Sequence, residues 1–150
     1  MPKVDLNSIE PTDRTGYPPP YDKDVAGRWY RRLGQAGGLK DIGISHVVLE
    51  PGAASSQRHW HEGIDEFVVV LEGDAVLVEE GKETVLKAGD CAVFPKDVRN
   101  GHHLVNRGDQ ACTFLAIDGQ YGEGDCHYPD VDLHYDQAND RYTHKDGTPY

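Results

Sequence analysis

The chain has 150 residues, a single domain's worth, and its 37% apolar and 27% charged residues suit a rather polar globular fold with a sizeable core. A formal net charge of −11 sets it against nucleic-acid phosphates and anionic membrane surfaces, and no apolar run reaches membrane-spanning length. Neither nucleic acid nor membrane is therefore expected as a partner.

The N-terminal stretch MPKVDLNSIEPTD lacks the apolar segment of an export signal, so a cytoplasmic location with reduced thiols is expected. Three cysteines are widely spaced, with no C-x-x-C among them. Cys91, in CAVF, and Cys112, in ACTFLAI, read as small buried hydrophobes. Cys126 sits in the polar EGDCHYPD and reads as an inert loop thiol open to solvent.

Residues 1–27 are polar and proline-rich, with YPPPY at 17–21, and read as an extended arm. Whether the arm lies across its own domain, lies on a neighbouring subunit or moves freely is open. From residue 28 to 118 the chain alternates short Val/Ile/Leu/Phe runs with turn residues. The strands expected are WYRRL (29–33), ISHVVLE (44–50), SQRHWH (56–61), EFVVVLEG (66–73), AVLVEEG (75–81), KETVLK (82–87), CAVFP (91–95), HHLVN (102–106) and CTFLAI (112–117). EEGK at 79–82 reads as a hairpin turn with Gly81 at its tip. Short strands at about ten-residue spacing, without helical periodicity, predict an all-β sandwich or barrel. Residues 119–150 form an acidic tail, irregular apart from a short strand at 132–135, which is expected to pack back through Tyr128, Leu133, Tyr135 and Tyr142.

HWHEGIDEF at 59–67 carries the chemistry. Strand residues two apart share a face, so His59 and His61 project together with Trp60 opposite. Gly63-Ile64-Asp65 reads as a turn, after which an antiparallel return strand would bring Glu66 back beside the imidazoles. Glu66, Val68 and Val70 share a face, so Glu66 would cap an apolar interior. Two imidazoles and a carboxylate on an apolar wall are costly unless something satisfies them, and a divalent transition ion does so. The ordinary alternative is a solvated loop rim. A further ligand is expected from NGHHLVN, either His102 or His103, since adjacent strand residues face opposite ways.

These residues resemble the cupin superfamily. Gly52, His59-Trp60-His61, Glu66 and Gly73 follow the first cupin motif, with one extra residue before the histidine pair. Gly89, Pro95, His102 and Asn106 follow the second. There the usual glycine after the proline is Asp97, and the proline-to-histidine spacing is two residues longer. The H-x-x-x-N spacing of that motif selects His102 over His103. The flanks, RWYRRLG and YPDVDLHY…YTHKDGTPY, resemble a group of small single-domain bacterial cupins loosely described as sugar-phosphate-isomerase-like. The resemblance implies an all-β double-stranded β-helix (a jelly-roll barrel). It also implies one divalent metal ion (Zn, Mn, Fe or Ni) held by His59, His61, Glu66 and His102, and a homodimer.

The mouth of such a barrel is the natural small-molecule site. The basic residues near the motifs are Arg58, beside His59, Lys96 and Arg99, in the loop before His102, and Arg28, Arg31 and Arg32 on the first strand. Such a group could receive an anionic substrate, with Arg58 and Arg99 the expected contacts; surface charges balancing an acidic chain are the ordinary alternative. The leading reading is metal-dependent isomerisation of a small oxygen-rich molecule. A metal-bound Glu66 is a poor base, so the base is sought among His103, Tyr30 and Tyr121. Iron-dependent oxygen chemistry and a non-catalytic binding module are the alternatives.

Overall fold

The computed structural model describes residues 3–120 and 122–150. It contains twelve strands: β1 (Arg28–Arg32), β2 (Ile42–Leu49), β3 (Trp60–His61), β4 (Glu66–Glu72), β5 (Ala75–Glu79), β6 (Lys82–Leu86), β7 (Cys91–Phe94), β8 (His103–Val105), β9 (Cys112–Gly119), β10 (Cys126–Tyr128), β11 (Leu133–Asp136) and β12 (Arg141–Thr143). A single α-helical turn, α1 (Leu33–Ala36), follows β1. Among the described residues no helix is long and apolar enough to cross a membrane.

All pairings are antiparallel. A five-stranded sheet runs β1-β2-β9-β4-β7 and faces a three-stranded sheet β6-β5-β8 across a common core. The core follows from alternation. On β4, Val68 and Val70 are buried and Leu71 is exposed at a bulge, while β2 contributes Val47 and Leu49, β5 Ala75 and Leu77, β8 Leu104 and β9 Phe114. The EEGK turn is as expected: Glu79 pairs with Lys82, and Gly81 adopts φ 67°.

Three expectations need correction. Residues 56–61 and 66–73 do not form a hairpin. β3 is only two residues long and pairs with β10, whereas β4 pairs with β7 and β9, so residues 62–65 cross from one sheet to another. The tail is also more regular than expected. β10, β11 and β12 form a meander completed by β3, over a second small core of Cys126, Tyr128 and Leu133. Thirdly, the thiols change places. Cys91 is exposed because β7 is an edge strand whose inward residues are Ala92 and Phe94. Cys126 is buried because β10 lies beneath the tail.

The arm lies across its own barrel. Thr12 exchanges backbone hydrogen bonds with Tyr30 (3.0 and 2.9 Å) and so covers the free edge of β1. Arg31 Nε donates to the Ile9 carbonyl at 2.7 Å. Tyr17 then packs edge-on against Tyr128 and beside Tyr142, joining arm to tail.

Candidate metal centre and its cavity

His59, His61, Glu66 and His102 come from three parts of the fold. His59 and His102 are backbone partners, each N–H donating to the other's carbonyl at 3.1 and 2.9 Å. His61 lies on β3, with Trp60 turned away to stack on His127 at 4.1 Å between ring centroids. Glu66 opens β4. The three Nε2 atoms converge on its carboxylate: His59 and His61 each lie 3.7 Å from Oε1, and His102 lies 2.9 Å from Oε2. Donor atoms of His59, Glu66 and His102 fall within 4.8 Å of one another.

The surroundings hold these rings in place. His59 Nδ1 is 2.8 Å from the Gln57 carbonyl, which can only accept, so Nδ1 carries the proton and the neutral ring keeps its Nε2 lone pair for the site. His102 stacks flat on Phe94, with centroids 3.6 Å apart and planes within 2°. Asn106, fully buried, donates to the carbonyls of Leu49 and Gln110 and accepts from the Gly108 N–H, so the asparagine ends β8 by satisfying a turn. Asp97, where the motif usually has glycine, retains the left-handed backbone (φ 65°), and its N–H donates to the His61 carbonyl at 2.9 Å.

Burial dominates the electrostatics. It pushes the His61 imidazole down to about 4, against the pull of Glu66, so His61 is neutral at pH 7. Burial opposes the charge of Glu66 too. The hydrogen bond from His102, together with the neighbouring His59, outweighs it and holds the carboxyl well below its usual range. At His59 burial again disfavours the cation, and Glu66 more than offsets it, so this imidazole is raised. A neutral imidazole and an ionised carboxylate are the states in which these groups bind metal, and the donor set suits Zn, Mn, Fe or Ni.

A cavity of 710 Å³ is lined on one side by His59, Glu66 and His102, and elsewhere by both apolar groups, among them Val68, Leu104 and Phe114, and polar ones. His61 instead lines a separate 60 Å³ space shared with Glu66, Phe94 and His102. His103 faces the large cavity with its Nδ1 held 2.8 Å from the Ser56 carbonyl, and burial lowers its pKa. Tyr30 also faces it, but its hydroxyl donates to the Arg14 carbonyl at 3.0 Å. Tyr121 lies outside the described residues.

Neither Arg58 nor Arg99 lines this cavity. Arg58 makes two 2.7 Å hydrogen bonds to the Asp130 carboxylate and so ties the tail to the histidine segment. Arg99 lies over the Trp60 ring at 5.7 Å. The arginines that do line the cavity are Arg14 of the arm and Arg28 and Arg32 of β1.

Two further site residues went unread in the sequence. Asp118 pairs directly with Glu66 across β9 and β4, so both side chains take the same face, and Asp118 lines the cavity. Its carboxylate rests over Gly43 on β2, where a Cβ would come within 1.8 Å of Oδ1. Burial raises the Asp118 carboxyl pKa, and the charge of Glu66 adds to the effect. Cys126 pairs with His61 across β10 and β3, and its thiol lies within 4.8 Å of donor atoms of His59 and His61. Both placements depend on non-local strand pairing, which no local pattern announces.

The cupin-domain family profile matches residues 45–118. The chain is 44% identical to a sugar phosphate isomerase from a cupin superfamily from Silicibacter pomeroyi, whose crystal structure superposes with a TM-score of 0.93 over 99% of this chain and 96% of that one. A putative sugar phosphate isomerase from Acidithiobacillus ferrooxidans is 28% identical, with a TM-score of 0.72 over 77% of this chain and 74% of that one. An oxalate-binding protein from Thermotoga maritima is 34% identical over 74 residues, 49% of this chain and 59% of that protein, so the match spans less than two thirds of that relative. With both histidine motifs, the two facing sheets and the near full-length match in agreement, the chain belongs to the cupin superfamily.

Proposed function

We propose that this cupin is a metal-dependent enzyme of isomerase type, acting on a small molecule with adjacent hydroxyl and carbonyl oxygens. The observation that carries the reading is the convergence of three imidazole Nε2 atoms on the Glu66 carboxylate at the wall of a cavity large enough for such a molecule. His59, His61, Glu66 and His102 would hold one divalent ion. When bound, the ion would polarise substrate oxygens and favour loss of a proton from the adjacent carbon.

The chain's own residues supply the rest. Val68, Leu104 and Phe114 give the cavity an apolar wall beside the donor cluster, which strengthens charge interactions along it. Asp118 is assigned the role of proton acceptor. It shares a face with Glu66, lines the cavity, and its upward-shifted carboxyl binds a proton more readily than an ordinary aspartate. The step needs a carboxylate Oδ of Asp118 within reach of the substrate's acidic carbon.

The test is proton exchange in ²H₂O. Metal-loaded protein should place deuterium next to the carbonyl of an aldose or ketose. Asp118→Asn should lose the exchange and keep its metal, whereas alanine at His59, His61, Glu66 or His102 should lose the metal, and His103→Ala should retain it. Full metal occupancy in all four ligand variants would remove the metal reading. Bound metal with no exchange on any such sugar would remove the isomerase reading, and oxygen uptake with Fe(II) would replace it with oxygen chemistry.

A further inference from the structure

The 710 Å³ cavity has a second polar region apart from the histidine cluster. Arg28, Tyr30 and Arg32 alternate along β1, so all three present the same face, and all three line the cavity. The guanidinium carbons of Arg28 and Arg32 lie 5.4 and 5.6 Å from the centroid of the Tyr30 ring, which therefore supports both. The arm adds Arg14 and Thr15 as a covering wall.

These cations lack anionic partners. Among the described residues, the arginines that close ion pairs are Arg58, Arg107 and Arg141. Arg28 donates only to neutral carbonyls, Ser55 at 2.8 Å and Arg14 at 3.2 Å, and its Nε is buried with no hydrogen-bond partner. Asp118 feels the charge of Arg32 without forming an ion pair with it. A buried cationic donor left unmatched is costly, and in a chain of net charge −11 a carboxylate partner would have been easy to supply.

We infer that Arg28 and Arg32, walled by the arm at Arg14, form a binding subsite for the oxyanion group, phosphate or carboxylate, of the molecule that occupies the cavity. Guanidinium groups suit this task because their planar donors match two oxyanion oxygens at once. The inference deepens the proposed function and rests on the same cavity. Oxygens at one end of the ligand would meet the histidine cluster, and its anionic end would meet β1. The arm then belongs to the site, since the Arg14 carbonyl anchors both Arg28 and Tyr30.

The test is calorimetric titration of the metal-loaded protein at low salt with glycerol 3-phosphate and, in parallel, glycerate. Arg32→Gln should weaken binding of one or both about tenfold, the scale of a lost charge-assisted hydrogen bond, with metal content unchanged. The probe more affected identifies the oxyanion. Arg28→Gln should act in the same direction, with thermal unfolding checking that it folds. Arg107→Gln, which alters an exposed pair with Glu83 outside the cavity, should bind as wild type. Wild-type protein that binds neither probe, or Arg32→Gln that binds both unchanged, would overturn the subsite. Binding lost in His59→Ala but intact in Arg32→Gln would place the anion on the metal and also overturn it. Arg32-dependent binding without proton exchange would keep the subsite and sink the isomerase reading instead.

Discussion

Replacing Arg58 with alanine separates a structural arginine from a substrate-binding one. The side chain makes two parallel 2.7 Å bonds to Asp130 and a longer one, 3.3 Å, to the Gly101 carbonyl. Arg58 is 12% exposed and Asp130 54% exposed, so water screens one partner and the pair falls between a surface and a buried bridge. Bidentate geometry raises its worth, and the expected loss is about 1–2 kcal/mol, or about 2–8 °C in Tm for a domain of this size. The Arg58 hydrogen bond holds the Asp130 carboxyl below its ordinary value. A depressed carboxyl contributes stability above its unfolded pKa and loses it as pH falls through the folded one. The difference between wild type and Arg58→Ala should therefore be full at neutral pH and shrink below about pH 4. Thermal unfolding of Arg58→Ala, Asp130→Ala and the double variant at pH 7 and pH 3 measures this, with a coupling of about 1 kcal/mol expected at pH 7. An Arg58→Ala protein as stable as wild type, yet weakened for glycerol 3-phosphate, would refute the structural assignment and restore Arg58 to the substrate.

A thiol reagent should titrate one cysteine, Cys91, in the native protein. Cys112 and Cys126 should react only on unfolding, since both are buried and burial pushes the Cys126 thiol up to about 12; three reactive thiols in the folded state would contradict the tail packing. Asp97→Gly should match or exceed wild type in stability by up to about 1 kcal/mol, and Asp97→Val should lose about 1–2 kcal/mol, because φ is 65° at an exposed position; equal denaturation midpoints for glycine and valine would argue against a left-handed backbone there. A chelator should lower the melting temperature while circular dichroism still reports a folded β protein, because the core between the two sheets contains none of the four donor residues. Metal at a hundred times its Kd adds about 2.7 kcal/mol, and a chelated chain unfolded at room temperature would contradict this.

The sequence by itself determined most of the barrel strands and the histidine motifs, though not the tail strands β10 and β12. Period-two alternation places Val68 and Val70 inward, turn chemistry sets Gly81, and the cupin spacings single out His59, His61, Glu66 and His102 as a group, all of them signals carried by neighbours in the chain. Tertiary structure decided how those strands meet. β3 pairs with β10 instead of β4, which buries Cys126 beside the histidines; β9 runs between β2 and β4, which sets Asp118 next to Glu66 over the space left by Gly43; and the arm folds back on β1, which makes Arg14, Arg28 and Arg32 a wall of the cavity. Arg58 shows the same limit from the other side. It adjoins His59 in sequence, yet the tail brings Asp130 to it from 72 residues away, and a side chain so paired is held out of the cavity. Local patterns fix which face a residue takes within its own strand, but which residues share that face is set by pairings between distant segments, and those are selected by the burial of the whole core.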